Sequence, residues 1–134
     1  MEALLEFFGR DFAVDAALAD SPWKEQAQIW HRGNPIGSLD GHKDSGFSLW
    51  VAGDKGATLE EQIAEALEVL EEDSQAIRRI RELPGVETAR LRFGEPWPPN
   101  IVARSPRLPS KLLLACGQLG LDIVLCQYLS SDEP

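Results

Sequence analysis

The chain has 134 residues, with 22 acidic and 13 basic side chains and a formal net charge of −9. Its hydrophobic content of 43 % and its 11 glycines are ordinary for a globular protein, which excludes a disordered chain, a collagen and a coiled-coil rod. An acidic balance of this size also argues against general binding to nucleic acid or to anionic membrane, because phosphate contacts need a basic surface.

No run of about 18 apolar residues occurs, and Met1 is followed by Glu2 rather than by a basic segment, so neither a transmembrane helix nor a signal peptide is expected. Two cysteines do not make a disulfide framework, which fits a cytoplasmic location. The length corresponds to one domain over residues 1–134. No internal repeat or linker divides it, and the polar tail Ser130 to Pro134 is expected to fray.

The first strand is expected over Ala3 to Phe8, ended by Gly9. Asp11 then precedes Phe12, Val14, Ala17 and Leu18, a short helical pattern closed by Ser21-Pro22. Ala27 to Trp30 and Gly46 to Val51 read as the next two strands, joined by a long loop from Arg32 to Ser45 that is rich in Gly, Asp, Asn, Pro and Ser.

Thr58-Leu59-Glu60-Glu61 has the form of a capping box. Behind it, Leu59, Ile63, Leu67 and Leu70 recur at helical spacing, with Glu60, Glu61, Glu65, Glu68 and Glu72 on the opposite face. A second helix starts near Asp73-Ser74, buries Ile77, Ile80 and Leu83, and stops at Pro84-Gly85.

From Glu87 to Phe93 the period becomes two, a strand with one wet face. The three prolines of Gly94 to Asn100 are expected to end it, and Ile101 to Ala103 is a short strand candidate. A helix opens at Pro109 or Ser110 and ends at Gly120. The near-continuous apolar run Leu121 to Leu129 suggests a central strand. The fold class expected is therefore α+β. It comprises a mainly antiparallel or mixed sheet of five to six strands, three to four helices packed on it, and ferredoxin-like order in its first part.

Phe8-Gly9 with Asp11, Trp30-His31-Arg32-Gly33, Leu49-Trp50-Val51, the Leu59 to Leu70 helix and Leu119-Gly120-Leu121-Asp122-Ile123 occur in an order that resembles the bacterial domain-of-unknown-function family numbered 4279, from about Leu5 to Tyr128. The resemblance implies a small stand-alone bacterial α+β protein and brings no catalytic residues with it. The segment between Gly33 and Gly46, with His42 among acidic neighbours, departs from the family, so nothing is carried over there.

Among candidate sites, Asp40, His42 and Asp44 alternate in the long loop with His31 nearby, a donor set that can hold a divalent cation. Gly-rich loops bearing Asp and His are more often plain solvated turns, and no His-x-Glu-x-x-His or Cys-x-x-Cys spacing is present. No metal and no cofactor is expected. Cys116 and Cys126 lie in apolar patterns and read as small core residues, and no Gly-x-Ser-x-Gly elbow occurs, so no catalytic residue is assigned.

The tryptophans are more informative. Trp30 shares its strand face with Gln28 and Trp50 shares its own with Ser48, so pairing of the two strands puts both indoles on one half-wet face. With His31 and Arg32 beside them they make a recognition platform. Alternatively, Pro96-Trp97-Pro98-Pro99 folds over them as a lid, with Trp97 part of the cluster.

Charge is segregated. Residues 54–76 hold eight acids and one lysine, and residues 77–111 hold eight bases and three acids. Arg78, Arg79, Arg90, Arg92, Arg104 and Arg107 are candidates for an anion-binding patch. The competing reading is mutual neutralisation between the Glu-rich helix and the arginines.

Taken together, these features lead us to expect a non-enzymatic protein-binding domain of immunity type, steered onto a basic partner by its charge. The rival is a small-molecule binder or weak enzyme with a tryptophan-lined pocket and His31 as acid or base. A third reading is homodimerisation through a free strand edge or the aromatic face, against a monomer.

Overall fold

The structure, a computed structural model, describes residues 2–34, 41–52, 58–97, 100 and 102–129, with the backbone alone at residues 97, 128 and 129. The strands are β1 (Ala3–Gly9), β2 (Gln28–Trp30), β3 (Ser45–Ala52), β4 (Thr88–Trp97) and β5 (Asp122–Leu129). The helices are α1 (Val14–Ala19), α2 (Leu59–Glu72), α3 (Ser74–Arg81) and α4 (Ser110–Leu119). This is an α+β fold with a five-stranded mixed sheet in the order β2-β3-β1-β4-β5.

β3 runs antiparallel to both β1 and β2, so β1 and β2 are parallel with β3 inserted between them. That split βαβ arrangement, completed by antiparallel β4 on the other side of β1, is the ferredoxin-like order read from the first part of the chain. β4, α4 and β5 then add a parallel crossover unit at the margin.

The alternation of the strands decides where the core lies. Ala3, Leu5 and Phe7 of β1, Phe47 and Leu49 of β3, and Ala89, Leu91 and Phe93 of β4 are all buried. Phe7 and Phe47 stack with centroids 5.2 Å apart, and Phe12 and Trp23 tilt onto Phe47 from the α1 side. A fully buried side chain of this size contributes about 1.5–3 kcal/mol of hydrophobic stabilisation. The helices supply the facing layer, through Val14 and Leu18 of α1, Ile63, Ala66 and Leu70 of α2, Ile77 and Ile80 of α3, and Leu112, Cys116 and Leu119 of α4.

The capping box opens α2, with the Glu61 amide donating to Thr58 Oγ1 at 3.1 Å and the Thr58 amide donating to Glu61 Oε1 at 3.2 Å. α1 is shorter than its apolar pattern suggests. It starts at Val14 without a side-chain cap, because Phe12 is spent on a turn back to the Gly9 carbonyl. Gly85 closes the turn after α3 at φ +89°, where a Cβ would stand 2.6 Å from the Asp11 carbonyl oxygen, so only glycine fits.

Three expectations are corrected. β4 does not stop at Phe93 but continues through Gly94, Glu95, Pro96 and Trp97, paired with Cys126 to Leu129 of β5. β1 reaches only as far as Phe93 in its register, and its last bond is from the Gly94 amide to the Glu2 carbonyl. Beyond that point β5 is the one neighbour of β4 among the described residues, and a one-sided ladder tolerates a proline. Second, β5 is an edge strand and not a central one. Its apolar run reflects partial cover on both faces, Ile123 and Leu125 toward the core and Val124 and Cys126 on the other side, all half-buried. Third, Val102 and Ala103 are not in a strand, and Val102 is 98 % exposed. Pro98, Pro99, Ile101 and the tail 130–134 lie outside the described residues. Among the described residues, no helix is long and apolar enough to cross a membrane.

Candidate functional site

The helices pack on one face of the sheet, and among the described residues none covers the other. Cross-strand partners share a face, so this open face carries Leu4, Glu6 and Phe8 of β1, Gly46, Ser48 and Trp50 of β3, and Gln28 and Trp30 of β2. Arg90 and Arg92 of β4 and Val124 and Cys126 of β5 complete it. Trp30 and Trp50 thus share the face that their strand patterns predict.

The two indoles have different fates. Trp30 is held down: its Nε1 donates to Asp44 Oδ1 at 3.0 Å, and its ring lies 6.1 Å from both Phe8 and His42. A Cβ on Gly46 would come within 2.7 Å of Trp30 Cζ2, so the indole rests on the glycine backbone. Trp50 is 67 % exposed. Two pairs further along β3, opposite Leu4, it borders a cleft of about 240 Å³ with Gln26, Gln28 and Ser48. Pro96 and the Trp97 backbone are ladder residues of β4, separated from β2 by β1 and β3, and they form no cover over Trp50.

At the middle of the same face sits a carboxylate that the sequence reading missed. Glu6 is 6 % exposed and takes Arg90 Nε at 2.8 Å and Arg92 Nε at 3.1 Å on one oxygen, with Arg92 Nη2 at 3.3 Å on the other. Arg90 also lies 5.0 Å from the Phe8 ring centroid, a cation–π contact. Burial acts to lower the Arg92 pKa, but the contacts with Cys126 and Glu6 outweigh it and the net shift is upward. A lone glutamate inside the apolar run Ala3–Gly9 was the available signal, since such a residue needs a cation on each accessible side.

The six arginines do not gather into one patch. Arg90 and Arg92 lie on the open face, while Arg104 pairs with Glu95, which is 4 % exposed on the helix-facing side of β4. Arg79 Nη2 donates to the Ala17 carbonyl at 3.0 Å, Arg78 lines a groove between α2, α3 and α4, and Arg107 is exposed.

His31 and Arg32 leave the end of β2 toward the helix layer. His31 Nε2 is 2.7 Å from Asp15 Oδ2 of α1, and Arg32 Nη1 is 3.5 Å from Asp11 Oδ1, all four side chains being substantially exposed. The imidazole and the exposed indole are therefore on opposite sides of the sheet, and His31 is not an acid–base group beside Trp50. Of the metal candidates, His42 stacks on Trp30 and Asp44 accepts from it, while Asp40 lies outside the described residues. Among the described residues, no group of three His, Cys, Asp or Glu side chains is placed to hold a metal ion.

No family model matches the sequence, and neither a curated protein nor a solved structure matches it.

Proposed function

We propose that the chain is a non-enzymatic protein-binding domain whose open sheet face receives a protein partner, with Trp50 as its anchor. The observation that supports this is the 67 % exposure of Trp50 on a strand hydrogen-bonded on both sides. A large indole on a strand paired with β1 at Trp50 itself, beside a cleft lined by Gln26, Gln28 and Ser48, is the kind of residue that dominates interface energetics. The Glu6, Arg90 and Arg92 cluster keeps the neighbouring surface polar and pre-ordered, which lowers the entropy lost on binding. A net charge of −9 favours a basic partner and fast encounter. An immunity-type inhibitor of a basic toxin is the form of this reading that charge favours, and a small bacterial protein of the family it resembles is consistent with it.

The test is affinity capture with tagged protein, followed by titration of the captured partner against Trp50→Ser. Truncating the anchor weakens binding by about 30-fold or more, the factor set by a ~2 kcal/mol hot spot. An unchanged dissociation constant removes Trp50 from the interface. Capture of nothing, together with thermal stabilisation by a sugar or an aromatic ring compound, replaces the reading with a small-molecule binder.

A further inference from the structure

The outer edge of β5 is a second, separate surface. No described segment pairs with it, and beyond Asp122 at its start its residues carry none of the sequence devices that blunt an edge strand. Asp122–Leu129 contains no lysine and no proline, and its register with β4 is unbroken by a bulge. The other edge, β2, is only three residues long. β5 therefore offers a long row of amides and carbonyls that no described residue pairs with, flanked by the half-buried side chains of Ile123, Val124, Leu125 and Cys126.

Above it, α4 turns an unusual flank outward. Leu112, Cys116 and Leu119 face the core, and Leu114 and Gln118 line the groove toward α2 and α3. At 3.6 residues per turn, Leu113 and Gly117 fall on the remaining flank, away from the groove that α4 shares with α2 and α3. Leu113 is 49 % exposed, and a Cβ on Gly117 would meet nothing within 4 Å. A glycine inside a helix costs about 1 kcal/mol relative to alanine, and its usual use is close approach of another backbone.

We propose that this margin joins a second copy of the chain, β5 pairing antiparallel with β5 of the other protomer about a two-fold axis. Three features select a second copy over an unrelated strand. The two-fold places both α4 helices on the same side of the continued sheet, so each Leu113–Gly117 flank meets its equivalent and side-chain area adds to the strand ladder. The flank formed by Ser110, Leu113 and Gly117 carries no charge, whereas α2 exposes Glu60, Glu61, Glu68, Glu71 and Glu72; two chains of net −9 meet with less repulsion here than over α2. Asp122, the one charged residue of β5, lies at opposite ends of an antiparallel pair and does not oppose itself. The resulting ten-stranded sheet leaves both Trp50 faces open, so dimerisation is independent of the partner-binding reading.

Light scattering over a concentration series up to ~1 mM, combined with residue-resolved amide exchange, tests the proposal. In a free edge strand alternate amides exchange fast, whereas in the dimer both alternating sets of residues 122–129 are protected. Leu113→Lys, an exposed position whose change leaves the melting temperature near wild type, weakens the dimer by about tenfold or more; Trp50→Ser leaves it unchanged. A monomer throughout the series overturns the proposal. So does a dimer that survives Leu113→Lys with alternate β5 amides still exchanging fast, since its interface then lies elsewhere.

Discussion

Cys116 is 1 % exposed on the core side of α4, and burial pushes its thiol up to about 11 from an ordinary value near 9. The folded state thus prefers the neutral thiol. Stability from this group is fully present below the unfolded value and is lost as pH rises through the folded one, so it declines between about pH 9 and pH 11. Two pH units correspond to about 3 kcal/mol. Urea unfolding across that window is expected to show a steeper loss in wild type than in Cys116→Ala, and iodoacetamide at pH 8 should leave Cys116 unmodified in the folded protein. A second residue-scale prediction concerns Glu95, held 4 % exposed against Arg104. Arg104→Ala strands a buried carboxylate and costs about 3–5 kcal/mol, while adding Glu95→Gln recovers a large part of the loss. Equal unfolding midpoints for the single variant and wild type would show that the pair adds nothing. Glu6 left a trace as the one acid of an apolar strand and Glu95 left none, and for both the partner cation becomes visible only in the fold.

At the scale of elements, α2 is the segment whose start, length and buried stripe were most legible. A capping box and a 3.6-residue apolar period are both written within a dozen neighbouring positions, and tertiary packing had nothing to overrule. The same helix is electrostatically strained on its wet side. Glu68 and Glu72 are exposed four residues apart, with Glu71 beside them, and like charges at this spacing are unfavourable by about 0.2–0.5 kcal/mol per pair. Glu68→Lys is therefore expected to stabilise the domain by about 0.5–1 kcal/mol in denaturant titration; no gain would mean that the repulsion is already screened. β4 shows the opposite case. Its end was misread because Pro96 forbids a central ladder but not a one-sided one, and which neighbours β4 has is a property of the whole sheet.

At the scale of the molecule, charge and faces organise the surface. Arg90, Arg92 and Arg104 are matched to the strand-borne acids Glu6 and Glu95 and Arg79 and Arg81 donate to backbone carbonyls, while the exposed glutamates of α2 repel one another along one helix face. Raising salt from about 10 mM to about 0.5 M shortens the Debye length severalfold and screens this repulsion more than the half-buried Glu6 cluster. The midpoint of thermal unfolding is expected to rise with salt at pH 7. A fall would mean that the exposed His31–Asp15 and Arg32–Asp11 pairs outweigh the repulsion. The open Trp50 face and the β5 margin are likewise whole-molecule features, one a surface that no described helix covers, the other an edge left by strand order.

By itself the sequence determined the elements with strong local signals, the core face of each alternating strand, and the strand neighbours with which Trp30 and Trp50 each share a face. These follow from periods of 2 and 3.6, caps and glycine stops, which act over a few neighbouring residues. Only the tertiary structure decided that β5 is an edge, that β4 runs on to Trp97, that Trp30 is pinned over Gly46 while Trp50 stands free, and that the arginines divide between two faces. Those outcomes depend on which distant segments become neighbours, and a local period carries no information about its partner.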